Sequence, residues 1–308
     1  MKRFLKLVPM PIVGLMLSLA ALGNLIQSYG EVYRSIFGVL SAIIFIFATL
    51  KFVCDFSGLK NDLTTPIGAS VFPTYSMGIM LLATYLKPWN QEVAFGLWIA
   101  GIVLHIALIL YFTAKFVKKF KIMEVFPSWF IVYVGIAVAS VTGKAFHPVI
   151  GKWAFCFALL SYFILIPIVG KRVLLIKKIP EPALPTLIIF SAPGSLCLAG
   201  YLNSFETKHM LLFGFLLILS QVIYLLAIIK LIQLLKLKFY PSYSGFTFPL
   251  VISAIALKSS NAFLITKGYS IGFLSVLVKI EEIIAVLIVC YVLVRYIDSI
   301  IKLAYKKN

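Results

Sequence analysis

Among the charged side chains that lie within long apolar stretches of the chain, Lys258, Glu281 and Glu282 are the least expected. A charged group is costly in apolar surroundings, so such residues are usually paired or functional. If a turn near residues 267–269 joins two helices, Lys258 and the two glutamates stand at similar depth, roughly 15–20 Å from that turn. The pattern predicts either a buried ion pair between Lys258 and one of the glutamates, or a lysine that faces a cavity and attracts anions.

Prolines inside apolar stretches provide a second signal, at Pro73, Pro193 and Pro249. An internal proline frees a backbone carbonyl and bends the helix that contains it. In a bilayer the freed group must meet protein or water rather than lipid. These three residues therefore predict kinked helices that face the interior of the protein.

Other prolines mark a repeat of about sixty residues. One such proline stands just before each odd-numbered apolar stretch. Proline lacks a backbone N–H, and at the start of a helix this group would have no partner within the helix in any case. These prolines are Pro9, Pro66, Pro127, Pro182 (or Pro185) and Pro241. We interpret the chain as five helical hairpins, with the five odd-numbered, proline-marked helices inside and the five even-numbered helices around them.

The amino-acid composition indicates whether water or lipid surrounds these helices. Hydrophobic residues make up 62% of the 308 positions and charged residues 12%, whereas a soluble chain has about 25% charged residues. The sequence predicts an all-α membrane protein with a single transmembrane domain over residues 1–308 and ten transmembrane helices. The predicted spans are 9–27, 33–53, 66–86, 93–115, 127–146, 151–175, 183–203, 209–235, 242–265 and 270–297. The hairpins cover about 9–53, 66–115, 127–175, 183–235 and 241–297.

The net charge of +18 would suggest nucleic acid as a partner in a soluble protein. Here the lysines and arginines cluster in the loops between apolar stretches, so we expect no nucleic-acid partner and a lipid bilayer instead. Basic loops remain in the cytoplasm. The distribution predicts a multi-pass protein of the plasma membrane with both termini in the cytoplasm.

The residue patterns argue against an enzyme, a metal site or a cofactor. There is no HExxH motif and no paired D-x-x-x-D motif. The four cysteines, Cys54, Cys156, Cys197 and Cys290, have no metal-ligand spacing. His105 stands alone in an apolar stretch, where a packing or hydrogen-bonding role is more typical than proton relay.

The odd-numbered spans contain none of the ten acidic residues. An anion on a path between them would therefore meet no fixed negative charge, and bent helices direct backbone N–H groups into such a path. A channel that passes small anions is one interpretation. A proton-coupled transporter or exporter of dicarboxylates or oxyanions is the other, and it would need a titratable group beside the path, for which Glu281 and Glu282 are within reach.

Three segments resemble the TehA/slow-anion-channel family, also called the tellurite-resistance/dicarboxylate transporter family. PIVGLMLSLAALGNLI in the first helix is similar to the family's G-x-x-L-x-L-A-A-L pattern. LPTLIIFSAPGSLCLAGYLN in the seventh resembles A-P-x-S…A-x-Y-L. SGFTFPLVISAIALKSSNA in the ninth contains F-T-F-P. Their order and spacing cover essentially the whole chain.

This resemblance implies five hairpins around a pseudo-five-fold axis, with the odd helices lining a pore and with three subunits in a homotrimer. It also implies a gate, in which a phenylalanine of helix 9 plugs the pore and a glycine of helix 1 faces it. By position these are Phe248 and Gly14. Small anions would be the ligands, with tellurite, sulfite or a dicarboxylate as alternatives.

Overall fold

The computed structural model describes residue 5 and residues 7–306 of the chain. These residues are 84% helical and include no β-strand. The long helical segments are α1 (Ile12–Tyr29), α2 (Glu31–Cys54), α3 (Pro66–Leu86), α4 (Gln91–Val117), α5 (Trp129–Gly143), α6 (Pro148–Ile176), α7 (Glu181–Ser204), α8 (Met210–Leu234), α9 (Pro241–Thr266) and α10 (Gly272–Lys306). All of these except α5 and α10 are long and apolar enough to cross a membrane, and α5 is a shorter apolar helix.

The segments follow the predicted stretches, with differences at their ends. The predicted span 127–146 contracts to Trp129–Gly143, and the last span extends beyond residue 297 to Lys306. A short helix over Phe56–Asp62, which the apolar pattern did not predict, lies between α2 and α3. Length and polarity locate helices well but leave their ends uncertain by a few residues.

Four odd-numbered segments change their helical geometry partway along. The α-helix of α3 ends at Val71 and resumes at Thr74, after Pro73. The first parts of α7 and α9 are 3₁₀-helix, over Glu181–Ser191 and Pro241–Phe246. In α5 a 3₁₀ turn over Gly135–Ala137 interrupts the α-helix without any proline. Such breaks leave backbone groups outside the regular hydrogen-bond pattern.

Burial alternates along the chain. In the most apolar part of each segment, 78% of the residues of α1 are buried, 72% of α3, 83% of α7 and 61% of α9, against 28–39% for α2, α4, α6 and α8. The odd segments form a closed ring in which α1 packs on α3, α3 on α5, α5 on α7, α7 on α9, and α9 again on α1. Each even segment packs on the odd segment before it.

Small and hydroxyl-bearing residues bring the odd segments close together. Small side chains let helix backbones approach, and hydroxyls add hydrogen bonds that membrane helices cannot obtain from lipid. Buried hydroxyl pairs join three interfaces of the ring: Ser18 with Thr247 at 2.5 Å, Ser195 with Ser253 at 2.9 Å, and Ser140 with Ser204 at 2.9 Å. Between α1 and α3, the Tyr85 hydroxyl donates to the carbonyl of Ala20 at 2.6 Å.

Candidate functional site

A cavity of about 690 Å³, its mouth included, lies between the first halves of the odd segments. α3, α5, α7 and α9 line it together with Pro11 and Gly14 at the start of α1. Among the described residues, none that lines it carries a charge, and the polar groups in its wall include the hydroxyls of Thr74, Thr186 and Ser244. We call this space the inner cavity.

The breaks in the odd segments lie at the inner cavity. Pro193 and Pro249 line it directly, as do Thr74, which follows Pro73, and Gly135 in the 3₁₀ turn of α5. The Pro73 carbonyl accepts the Met77 N–H at 3.1 Å. The breaks in the odd segments therefore surround this space, and Pro73 itself is not among the residues that line it.

The two phenylalanines of the F-T-F-P segment have different surroundings. Phe246 is fully buried and packs on the ring of Tyr243, with the ring centroids 4.7 Å apart. Phe248 lines the inner cavity and is 7% exposed. Of the two rings, Phe248 is the one that borders the cavity.

Gly14 lines the same cavity and also approaches α9 closely. A Cβ atom at Gly14 would lie 3.1 Å from the Cβ of Ser244. A larger residue would therefore push α1 and α9 apart beside the cavity. The structure thus places Gly14 and Phe248 around one space and adds a packing reason for the glycine.

A second cavity, the outer cavity, lies farther along the same odd segments and has about 1480 Å³ of empty space. The inner cavity is lined by residues 11–14 of the α1 region and by 67–77 of the α3 region, the outer cavity by 21–28 and by 81–84. α9 likewise contributes residues 242–249 to the inner cavity and 255–259 to the outer one. The two spaces therefore stand in series along the ring of odd segments.

The wall of the outer cavity is polar, in contrast to that of the inner one. Asn24, Gln27 and Asn203 line it, together with the charged residues Arg34, Lys258 and Glu31. Because the odd spans contain no acidic residue, only Glu281 and Glu282 of an outer helix were expected within reach of the path. Glu31 corrects this expectation: it belongs to α2 but reaches the outer cavity, where its carboxylate lies 3.9 Å from Arg34.

Lys258 forms an ion pair and also borders the outer cavity. Its Nζ atom lies 2.6 Å from Oε1 of Glu282 and also donates to the Leu25 carbonyl at 2.8 Å and to the Ser28 hydroxyl at 2.7 Å. The Tyr29 hydroxyl donates to the other oxygen of Glu282 at 2.6 Å. With 32% of its side chain exposed, Lys258 is ion-paired and still borders the outer cavity.

Glu281 does not join this pair. It is fully buried, and neither carboxylate oxygen has a hydrogen-bond partner among the described residues. It lies close enough to Gln221 and Tyr224 of α8 to interact with them. Successive residues on a helix point about 100° apart, so Glu282 faces α9 while Glu281 faces α8.

Arg34 is a residue of the outer cavity that the sequence reasoning did not single out. Its guanidinium donates to the side-chain oxygen of Asn24 and to the Thr84 carbonyl, each at 3.0 Å, and lies 4.5 Å from the centre of the Tyr85 ring. These contacts fix the cation between α1 and α3. The signal in the sequence was a basic residue near the start of a largely apolar even helix.

The turn before α10 contains Gly268-Tyr269-Ser270-Ile271-Gly272, which matches the G-x-S-x-G pattern of hydrolases. In those enzymes the pattern joins a strand to a helix and exposes a nucleophilic serine. Here it joins two helices, and Gly268 has the positive φ of an ordinary turn, +84°. The described residues also include no group of histidines, cysteines and acidic residues that could hold a metal ion.

Comparison with known proteins identifies a family. No curated protein matches the chain. The model of the voltage-dependent anion channel family matches residues 8–297, which include both cavities and every odd segment. This match confirms the resemblance that the three sequence segments indicated, and with it a multi-pass membrane protein. The chain therefore belongs to the voltage-dependent anion channel family.

Proposed function

We propose that this protein is an anion channel that passes small anions through the ring of odd segments. The single observation that carries the proposal is the pair of cavities in series on the same five segments, the inner one uncharged and the outer one bearing Arg34 and Lys258. On this proposal all ten segments cross the membrane, as five hairpins around a pseudo-five-fold axis in a single domain.

The inner cavity suits an ion that must leave as readily as it enters. A path with strong fixed charges would hold its ion, whereas conduction requires weak binding. The inner cavity instead presents hydroxyls such as those of Thr74 and Ser244, and the broken helices around it supply backbone dipoles. In the outer cavity, Arg34 and Lys258 attract anions, and Glu31 and Glu282 moderate that attraction.

Phe248 is the proposed gate. Its ring borders the inner cavity next to the kink at Pro249, where a side-chain rotation changes the width of the path without moving a helix. Gly14, which has no side chain, lines the same cavity on the neighbouring segment α1. We propose that the ring plugs the path in the state described.

The orientation follows from the basic residues. Among the described residues, the face at which the odd segments begin carries eight lysines between the long segments, against four on the other face. The eight are Lys60, Lys118, Lys119, Lys121, Lys177, Lys178, Lys236 and Lys238, and the four are Lys87, Lys144, Lys208 and Lys267. By the positive-inside rule this face lies in the cytoplasm of the plasma membrane, together with both termini. The proposed homotrimer, and tellurite or dicarboxylates as substrates, are supported by the family resemblance alone.

The test is anion flux in proteoliposomes. We expect wild-type protein to pass chloride slowly and Phe248→Ala to pass it several-fold faster. The control is Phe157→Ala on the outer face of α6, where Phe157 is 43% exposed, and we expect this variant to behave as wild type. Equal chloride flux in all three proteins would refute the assignment of Phe248 as the gate. Absence of chloride flux, with one-for-one proton and dicarboxylate uptake instead, would establish the coupled transporter and overturn the channel.

A further inference from the structure

Among the described residues that line the outer cavity, the cations are Arg34 and Lys258, and they differ in the hydrogen-bond donors left for a ligand. An ammonium group has three N–H donors. The acceptors around Lys258 are the Leu25 carbonyl, the Ser28 hydroxyl and the Glu282 carboxylate, at 2.8, 2.7 and 2.6 Å. These three bonds occupy every donor of Lys258. An anion could bind it directly only by displacing one of them.

Arg34, in contrast, keeps free donors. Of the five N–H groups of a guanidinium, one on Nε donates to the Asn24 side-chain oxygen and one on Nη2 to the Thr84 carbonyl. The two N–H groups of Nη1 have no acceptor within hydrogen-bond distance in the described part of the chain. Asn24, Thr84 and the ring of Tyr85 hold the group in place. Nη1 is therefore an open edge on a fixed cation that lines the outer cavity.

The Glu31 carboxylate faces this open edge without closing it. Its Oε2 atom lies 3.9 Å from Nη1 of Arg34, whereas a hydrogen bond of this kind spans about 2.7–3.2 Å. Its other oxygen, Oε1, accepts from the Gln27 side-chain amide at 2.6 Å. Gln27 thus holds the carboxylate beside the guanidinium but off it. With 69% of its side chain exposed, Glu31 has room to change rotamer.

We propose that the open edge of Arg34 is the docking site for an anion in the outer cavity, and that Glu31 is a tethered competitor for the same two N–H groups. The ligand is a small anion that accepts both hydrogens of Nη1. This inference specifies the proposed function further and rests on it for the effect on flux. Arg34 touches the ion through charge-assisted hydrogen bonds, while Lys258 attracts it from a distance.

Contact and distant attraction respond differently to salt. The screening length falls from about 10 Å at 0.1 M salt to about 3 Å at 1 M. The field of Lys258 across the cavity therefore weakens as the ionic strength rises. Hydrogen bonds between Arg34 and an ion in contact with it are screened much less, so the effect of Arg34→Gln on flux is expected to persist at high ionic strength.

The experiment measures the half-saturating chloride concentration for flux in proteoliposomes at one fixed ionic strength. Glu31→Gln removes the competing carboxylate and is expected to lower this concentration several-fold. Gln27→Ala releases the carboxylate to close on Arg34 and is expected to raise it. The matched control is Glu92→Gln, because Glu92 is the acidic residue in the first turn of α4, as Glu31 is in α2, and does not line the cavity. It is expected to behave as wild type.

A double variant separates competition at Arg34 from a general effect of negative charge. Arg34→Gln is expected to raise the half-saturating concentration several-fold, and Glu31→Gln added to it is expected to change nothing more, since no edge is left to compete for. An equal benefit of Glu31→Gln in both backgrounds would overturn the inference. If Arg34→Gln does not fold, the opposite shifts of Glu31→Gln and Gln27→Ala decide, because both of those side chains are exposed. Loss of either shift would refute the competition.

Chloride binding also has a readout that does not need transport. A ligand that binds the folded state raises the melting temperature. Chloride is expected to raise the melting temperature of wild-type protein in detergent more than that of Arg34→Gln. Equal shifts in the two proteins would refute the docking site. If the wild type carries no anion at all, the proposed function fails, and the melting shifts still decide whether Arg34 binds one.

Discussion

Lys258 and Glu282 form an ion pair of 2.6 Å that joins an inner helix to its outer neighbour. The glutamate side chain is 5% exposed and the lysine side chain 32%. The pair therefore has one end in the protein and the other at the outer cavity. This asymmetry leads to different expectations for the two partners.

The first prediction concerns stability. Lys258→Gln leaves the Glu282 carboxylate buried and unpaired, which we expect to lower the free energy of unfolding by about 1–3 kcal/mol, less than for a fully buried pair. Glu282→Gln leaves a lysine that the cavity still hydrates, so its effect should be smaller. Thermal unfolding in detergent would measure both, with the double variant Lys258→Gln/Glu282→Gln as the control. Together with the wild type, the three variants form a double-mutant cycle. If the effects of the two single variants simply add in the double variant, the ion pair does not contribute to stability.

The second prediction concerns conduction at the outer cavity. Lys258→Gln is expected to reduce chloride flux at low ionic strength, because it removes one of the cations that attract the ion. Salt screens such an effect, so the difference from wild type should narrow at high ionic strength. Glu282→Gln frees the same cation and should raise the flux. Identical flux in all three proteins would assign Lys258 a structural role only.

The third prediction separates the two phenylalanines of the ninth segment. Phe246→Ala removes a fully buried ring that packs on Tyr243, and we expect it to cost about 3–5 kcal/mol of stability. Phe248→Leu only shortens a side chain at a cavity, so it should cost less and produce a flux between those of wild type and Phe248→Ala. If Phe246→Ala instead opens the path, the gate has been assigned to the wrong ring.

The fourth prediction tests the close packing of α5 and α7. A Cβ atom at Gly200 would lie 2.8 Å from the Ser140 Oγ and 2.9 Å from its Cβ, so Gly200→Ala should lower stability by about 1–3 kcal/mol. Gly96, on the exposed side of α4, has no neighbour within 4 Å of such an atom. Gly96→Ala should therefore be neutral or slightly stabilising. Equal melting temperatures for the two variants would contradict this packing.

The fifth prediction concerns orientation. In a background without the four native cysteines, Ser270→Cys and Lys119→Cys place single thiols in exposed loops on opposite faces. An impermeant thiol reagent added to intact cells is expected to label position 270, and position 119 only after lysis. The reverse pattern would invert the proposed topology.

The sequence was sufficient to predict which helices are inside. Proline at the start of alternate apolar stretches marked the odd segments, and these are the buried ones. It was not sufficient to predict the break in α5, because Gly135 carries no helix-breaking proline signal. The break begins at Gly135, which packs closely against His105 and Met77.

Composition and spacing alone determined the membrane class, the alternation of inner and outer helices and the family, because each depends on periodic or regional properties of the chain. The rotation of each helix about its axis is not such a property when its residues are apolar on every side. Tertiary packing therefore decided that Lys258 pairs with Glu282 and not Glu281, and that Arg34 and Glu31 reach the outer cavity. It also brought His105 against the inner wall, since a side chain's neighbours are set by how whole helices fit together.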